Sequence, residues 1–388
     1  MEMALLYILL PVAAASGWWV GRRSRHKPDP SRPAFSSDYF KGLNFLLNEQ
    51  PDKAIDVFVK MLEVDSETVE THLALGNLFR RRGEVDRAIR IHQNLIARPT
   101  LNKSQRALAL FELGQDYLRA GLLGRAETLF EESLEHAEYR AESLEKLLDI
   151  YQQEKDWSRA IDVARRIEMQ TGKRMSALVA QYYCELGEEL RGVGDLRGAA
   201  RMVKRALGCD RRCVRASLLQ GAIDKSRGNF KAAIKALKLV EQQDTDFLPE
   251  VVAPLMSCYR SLGRYGEAEQ YLNHLLESHG GITPLLALAE LLEQRDGEGV
   301  ASERIVAFLR QRPSVRGLER LIELHLENSE GAARENLLIL KELTRLLLEN
   351  KSPYRCRQCG FKAKALQWQC PGCKQWATVR PVQGVVGE

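Results

Sequence analysis

The chain has 388 residues, is 45% hydrophobic and 28% charged, and carries a net charge of +5. That length admits two or more domains, and the composition excludes a disordered or low-complexity chain. So small a positive balance does not by itself imply nucleic acid, and none is expected as a partner.

Met3 to Val20 runs eighteen residues without a charge. As a helix it spans about 27 Å, close to the hydrocarbon thickness of a bilayer. Trp18 and Trp19 stand where an interfacial aromatic belt belongs, and Arg22, Arg23, Arg25, His26 and Lys27 follow at once. A secretory signal carries its positive charge ahead of the apolar run. Here only Glu2 precedes it, so residues 1–21 are read as an uncleaved transmembrane anchor. The positive-inside rule then leaves the short N-terminus outside and the bulk of the chain in the cytoplasm. Pro28, Pro30 and Pro33 make residues 22–37 a basic, proline-rich linker.

Residues 38–350 repeat. Gly76 and Ala88 bracket a tight turn at Gly83-Glu84-Val85. The same pair recurs at Gly42 and Ala54, Gly114 and Ala126, Gly187 and Ala199, and Gly221 and Ala233, mostly at a period of 34. Ala160 and Ala268 continue the series, and the turn returns at Gly194, Gly228 and Gly263. Small residues at these positions imply helices that cross closely. Phe45, Phe79 and Tyr117 share one offset, and Phe58 and Phe130 another, where His92 is expected to pack in the core. This pattern resembles the tetratricopeptide repeat, in which two helices per unit bury their apolar faces only by stacking on neighbours. Seven units are expected from about 38 to 278, then a looser pair or two with Pro284 and Pro313 as breaks. The expected fold is therefore all-α: a superhelical solenoid whose first helices line a docking surface, with Asn44, Asn77 and Arg80 as candidate contacts. Cations cluster at Arg80-Arg81-Arg82 and across Arg201, Lys204, Arg205, Arg211, Arg212 and Arg215. They read as solvated helix faces or as contacts to phosphorylated lipid or an acidic partner.

Residues 351–388 form the last segment. Cys356-Arg-Gln-Cys359 and Cys370-Pro-Gly-Cys373 are separated by ten residues. Two such knuckles close one tetrahedral site, so Cys356, Cys359, Cys370 and Cys373 are the expected ligands of a single metal ion. Four filled positions leave no room for water or substrate, which makes the site structural. Thiolate ligation suits iron and zinc alike. This segment also holds seven cations against Glu388 alone. They balance a negatively charged metal centre or meet an acidic surface. Cys184, Cys209, Cys213 and Cys258 lie in helical stretches without a ligand-set partner and read as packed thiols. Unpaired thiols in this number fit a reducing compartment. No phosphate loop, no His-Glu-x-x-His and no Gly-x-Ser-x-Gly is present, and no nucleophile–base set can be assembled, so the chain reads as a non-enzyme.

The parts in this order resemble the bacterial lipopolysaccharide assembly protein B family. The likeness rests on Leu9 to Trp18 with Gly21-Arg22-Arg23, on Asn44-Phe45-Leu46-Leu47, and on Gly76 through Gln93. It extends to Tyr354 through Phe361 and to Cys370-Pro371-x-Cys373. The resemblance implies a single-pass protein of the bacterial inner membrane, its N-terminus periplasmic, with a rubredoxin-like module whose metal ligands are those four cysteines. The rubredoxin likeness leans toward iron over zinc. It implies an adaptor that restrains lipopolysaccharide synthesis by promoting degradation of the lipid A pathway deacetylase by a membrane ATP-dependent protease. Gathering of other lipopolysaccharide-synthesis or transport proteins goes with it. The alternatives are a rubredoxin-like redox protein, or a direct sensor that binds lipopolysaccharide itself. Lys374 stands where rubredoxins commonly have Gly, and the loop between knuckles is far shorter than theirs, which weakens the redox alternative.

Overall fold

The computed structural model describes residues 16, 18, 19, 37–48, 50–64, 69–349 and 351–388. The anchor and linker expected at 1–37 lie almost wholly outside the described residues. Among the described residues, no helix is long and apolar enough to cross a membrane.

From residue 37 to 349 the described chain is helical and runs in nine successive pairs. They are α1 (Ser37–Leu47) and α2 (Pro51–Val64), α3 (Val69–Arg82) and α4 (Val85–Ile96), and α5 (Lys103–Arg119) and α6 (Leu123–Ser133). Next come α7 (Arg140–Glu154) and α8 (Trp157–Thr171), α9 (Ser176–Gly192) and α10 (Leu196–Cys209), and α11 (Val214–Ser226) and α12 (Phe230–Gln243). A short 3-10 turn, Thr245–Phe247, leads into α13 (Leu248–Leu262) and α14 (Tyr265–Ser278), and then α15 (Ile282–Asp296) and α16 (Glu298–Gln311). The last pair is α17 (Val315–Glu327) and α18 (Gly331–Glu349). Seven pairs end at Ser278, as the repeat spacing requires, and two more follow. Pro313 separates α16 from α17. Pro284 is not a break: it sits third in α15, inside the first turn, where no backbone N–H is needed.

The chain divides into two compact units, Met1–Ser143 and Leu144–Glu388. In the first, the glycine of each first helix makes room for the residue sixteen positions on. A Cβ built on Gly42 would stand 2.6 Å from the Phe58 ring, and one on Gly114 2.9 Å from Phe130. At the equivalent place His92 fills the space over Gly76. It is fully buried, as expected, with Nδ1 2.5 Å from Asp116 Oδ2. Asp116 also accepts from Arg80 at 2.8 Å, and Arg80 donates to Asn77 Oδ1 at 2.7 Å. Two of the three candidate contact residues are thus engaged inside the unit. Asn44 is exposed and accepts from Asn48.

The second unit uses the same joint, with Leu237 2.7 Å from a Cβ built on Gly221. Its turns close as the sequence implies. Asp195 N donates to Leu190 O at 2.9 Å and Asn229 N to Asp224 O at 2.8 Å, around left-handed Gly194 and Gly228. Between α7 and α8 the left-handed place is held by Lys155, at φ 58°, so that turn carries no glycine signature. The unit ends in a small antiparallel sheet, order β2-β1-β3, made of β1 (Tyr354–Cys356), β2 (Lys362–Ala363) and β3 (Val379–Pro381). Tyr354 pairs with Ala363 on one side and Pro381 on the other.

Candidate metal centre and its seat on the helices

Both knuckles are built by one hydrogen-bond pattern. Cys356 N donates to Phe361 O at 2.8 Å and Gly360 N to Cys356 O at 3.0 Å. In the second, Cys370 N donates to Gln375 O at 2.9 Å and Lys374 N to Cys370 O at 2.8 Å. Gly360 and Lys374 therefore occupy equivalent places, and both are left-handed, at φ 78° and 58°. The turn aims both sulfurs of each knuckle at one point. Cys356 Sγ lies 3.8 Å from Cys373 Sγ, and Cys359 Sγ 3.6 Å from Cys370 Sγ. All four sulfurs lie within 4.8 Å of one another. Disulfide sulfurs sit at about 2.05 Å, so no pair here is bridged. Four thiolates at about 2.3 Å from a central ion would have edges of about 3.8 Å. The donor set fits one tetrahedral ion, and its chemistry accommodates iron or zinc.

The thiols also shift apart. Burial opposes the Cys356 thiolate, but the Thr378 hydroxyl and the N–H groups of Cys359 and Gln358 outweigh it and bring that thiol down to about 6. The Phe361 N–H favours the Cys359 thiolate, yet burial and hydrogen bonding with Cys370, Cys356 and Cys373 push Cys359 up to about 12. Four such groups cannot all ionise unless a cation sits among them.

The ribbon is seated on first helices of the second unit, on the start of α8 and on the 3-10 turn at Thr245–Phe247. Gln369 and Trp376 bridge across the second knuckle, so its geometry sets the direction of the indole. Trp376 donates to Gln152 Oε1 of α7 at 3.1 Å and meets Trp157 and Tyr182 edge-on, each at 5.9 Å. Trp368 stacks on Phe247 at 5.6 Å. Arg215 of α11 lies 5.8 Å from both indoles and is 3% exposed. Glu185 and Glu188 of α9 each pair with it at 2.8 Å. Arg380 reaches Asp244 at 2.5 Å and Asp246 at 2.7 Å, and Arg357 pairs with Asp246 at 2.6 Å. Tyr354 donates to Glu250 at 2.7 Å. Past the sheet, Glu388 accepts from the backbone and hydroxyl of Thr283, at the start of α15, and pairs with Arg316.

All four expected ligands are thus brought together. Part of the basic excess of the last segment, Arg357 and Arg380, answers carboxylates of this same chain rather than an outside surface. Of the seat's residues on the helices, only Arg215 was singled out from sequence, within a cation cluster read as a solvated face or as a contact to phosphorylated lipid or an acidic partner. It is instead buried and paired with Glu185 and Glu188, because the ribbon's two indoles cover it. Two signals were present: tryptophans two before and three after the second knuckle, and the acidic run Glu241, Asp244, Asp246 and Glu250 that follows a strongly basic stretch.

Helix pairs at a 34-residue repeat that carry a four-thiol ribbon define a tetratricopeptide-repeat protein with a rubredoxin-like module. Residues 354–381 match the rubredoxin metal binding domain, and residues 71–107, 111–173 and 257–278 match tetratricopeptide repeats. The chain is 40% identical to lipopolysaccharide assembly protein B of Escherichia coli K12, over 99% of this chain and all of that one. It is 36% identical to the protein of the same name from Haemophilus influenzae, over 97% of this chain and 98% of that one. The chain belongs to the lipopolysaccharide assembly protein B family. Among solved structures, one of Naa15/Naa10 bound to HypK-THB aligns with 81% of this chain and 47% of its own, at 13% identity and a TM-score of 0.45.

Proposed function

We propose that this chain is a non-catalytic adaptor in lipopolysaccharide assembly, held at the bacterial inner membrane by residues 1–21 with its bulk in the cytoplasm. The observation that carries this reading is likeness over the full length to proteins named for lipopolysaccharide assembly. The finer reading follows from the family resemblance. The chain brings the deacetylase of the lipid A pathway to a membrane-bound ATP-dependent protease and so restrains lipopolysaccharide synthesis. Other proteins of synthesis or transport are gathered on the same helices. Anchoring confines these encounters to a surface and raises their effective concentration.

In this reading Cys356, Cys359, Cys370 and Cys373 hold one ion, iron or zinc. A bound ion cross-links the two knuckles and supplies rigidity. The protein's own residues do the remainder: Trp368, Trp376, Arg357 and Arg380 fix the ribbon on the helix row. The test is the half-life of the deacetylase in cells that carry Cys356→Ser in the full chain. The reading predicts a long-lived deacetylase and excess lipopolysaccharide while the helices remain folded. Unchanged turnover with the metal gone would remove the ribbon from the regulatory role.

A further inference from the structure

The cations of this chain are not evenly spread. Residues 191–240 hold thirteen Lys and Arg against three Asp, twice the net charge of the whole chain. All three aspartates are engaged locally. Asp195 accepts from Gly198 N, Asp210 from Arg212 N, and Asp224 from Gln220.

The excess lies mainly on two second helices, α10 and α12. Arg197, Arg201 and Lys204 stand at i, i+4 and i+7 of one face, and Arg205 flanks them. Lys231, Lys235 and Lys238 repeat that row 34 residues later. The opposite faces are the buried ones: Ala199, Val203 and Ala206 in α10, Ala233, Leu237 and Val240 in α12. Lys238 lies over Tyr271 at 4.2 Å, and Arg205 faces the Tyr183 ring at 6.0 Å. Arg197, Arg201, Lys204, Arg205, Lys231 and Lys235 are exposed, and among the described residues none of the six has an ion-pair partner. The only carboxylate on either helix, Glu241, is taken by His274 and His279. The ribbon uses other elements, so both rows stay open.

We infer that these two rows dock the protein on a bilayer of anionic phospholipid, with headgroup phosphates as the counter-ions. The rows contain no aromatic side chain to stack on a base and no amide to read its edge, which sets nucleic acid aside. They also lack the buried aromatic anchors on which a protein partner's affinity depends. Long, mobile cations at regular spacing need only a surface whose charges can rearrange beneath them. The inference rests on the reading that the protein works at a membrane.

The experiment uses the full chain in nanodiscs of phosphatidylcholine, with or without phosphatidylglycerol. Lysines are acetylated with a soluble reagent, and modification at Lys204, Lys231 and Lys235 is read by mass spectrometry. Anionic discs should lower modification at these three several-fold and leave Lys341, on α18, unchanged. Half-molar salt should erase the difference, as should Arg197→Glu with Arg201→Glu read at Lys204. Equal modification in both kinds of disc overturns the proposal. So does equal protection by soluble RNA, or by an acidic protein, added to phosphatidylcholine discs. Failure of the chain to stay in either disc would instead count against the anchor.

Discussion

Trp376 donates its indole N–H to Gln152 Oε1 at 3.1 Å, across 224 residues of chain. The indole belongs to the ribbon and the amide to α7, so this bond ties the metal module to the helices. Its direction is set one residue pair away from Cys370, by the Gln369–Trp376 bridge. The chemistry of the four sulfurs and the packing of the helix row are linked through that short path.

The Arg380 clasp should be measurable. Its partners Asp244 and Asp246 are about a quarter exposed, so each bond is partly screened. Arg380→Ala with Asp246→Ala, in a double-mutant cycle, should give a coupling of about 1 kcal/mol by urea unfolding. The coupling should shrink in high salt. A salt-independent coupling would mean that packing of Arg380 over Phe247, at 5.3 Å, dominates instead.

Gly114→Ala should cost about 1–3 kcal/mol, because the new methyl meets the Phe130 ring and the joint has no slack. Thermal unfolding reads the loss. Combining it with Phe130→Leu should cost less than the two changes summed, since the smaller side chain returns the room. Strict additivity would show that the two residues do not share that space.

Glu241 predicts a pH dependence. Burial raises its pKa, but bonds from His279, His274 and Tyr271 outweigh this and hold the carboxyl below its ordinary value. A depressed carboxylate stabilises the fold above its unfolded value, about 4.3, and that contribution is lost as pH falls through the lower folded value. Glu241→Gln should therefore be less stable than the native chain at pH 7, with the gap closing below about pH 4. A gap that is constant with pH would assign the effect to shape rather than charge.

Lys374→Gly should stabilise the ribbon by about 1–2 kcal/mol, since a left-handed backbone at φ 58° strains any residue with a Cβ. Gly360→Ala, at the equivalent place of the first knuckle, should cost a similar amount. The rate of metal release under chelator reads both, slower for the first and faster for the second.

The helix pairs were legible because a Cβ at Gly42, Gly76, Gly114 or Gly221 would meet its partner side chain at under 3.0 Å, and that requirement recurs in the sequence. The gathering of the four cysteines was legible because two turns of fixed length aim four sulfurs. The pairing of each glycine with the residue sixteen later was less visible, because Phe, His, Val and Leu all fill the space. The turn at Lys155 was hidden because a lysine took the glycine's conformation. The seat of the ribbon was not legible. Most of its contacts join residues more than a hundred positions apart, such as Tyr354 with Glu250, and each is an ordinary polar or aromatic side chain until the fold brings it to its partner.

The central claim is that an ion on four cysteines holds the ribbon on the helices. The direct test is tryptophan emission as the ion is removed from the full chain by a strong chelator, with ion content and far-ultraviolet helix signal followed together. Three of the five tryptophans, Trp157, Trp368 and Trp376, lie at the seat. The account predicts a red shift in step with loss of one ion per chain, while the helix signal holds. An ion that leaves without any change in emission, or a chain that never held one, would contradict it.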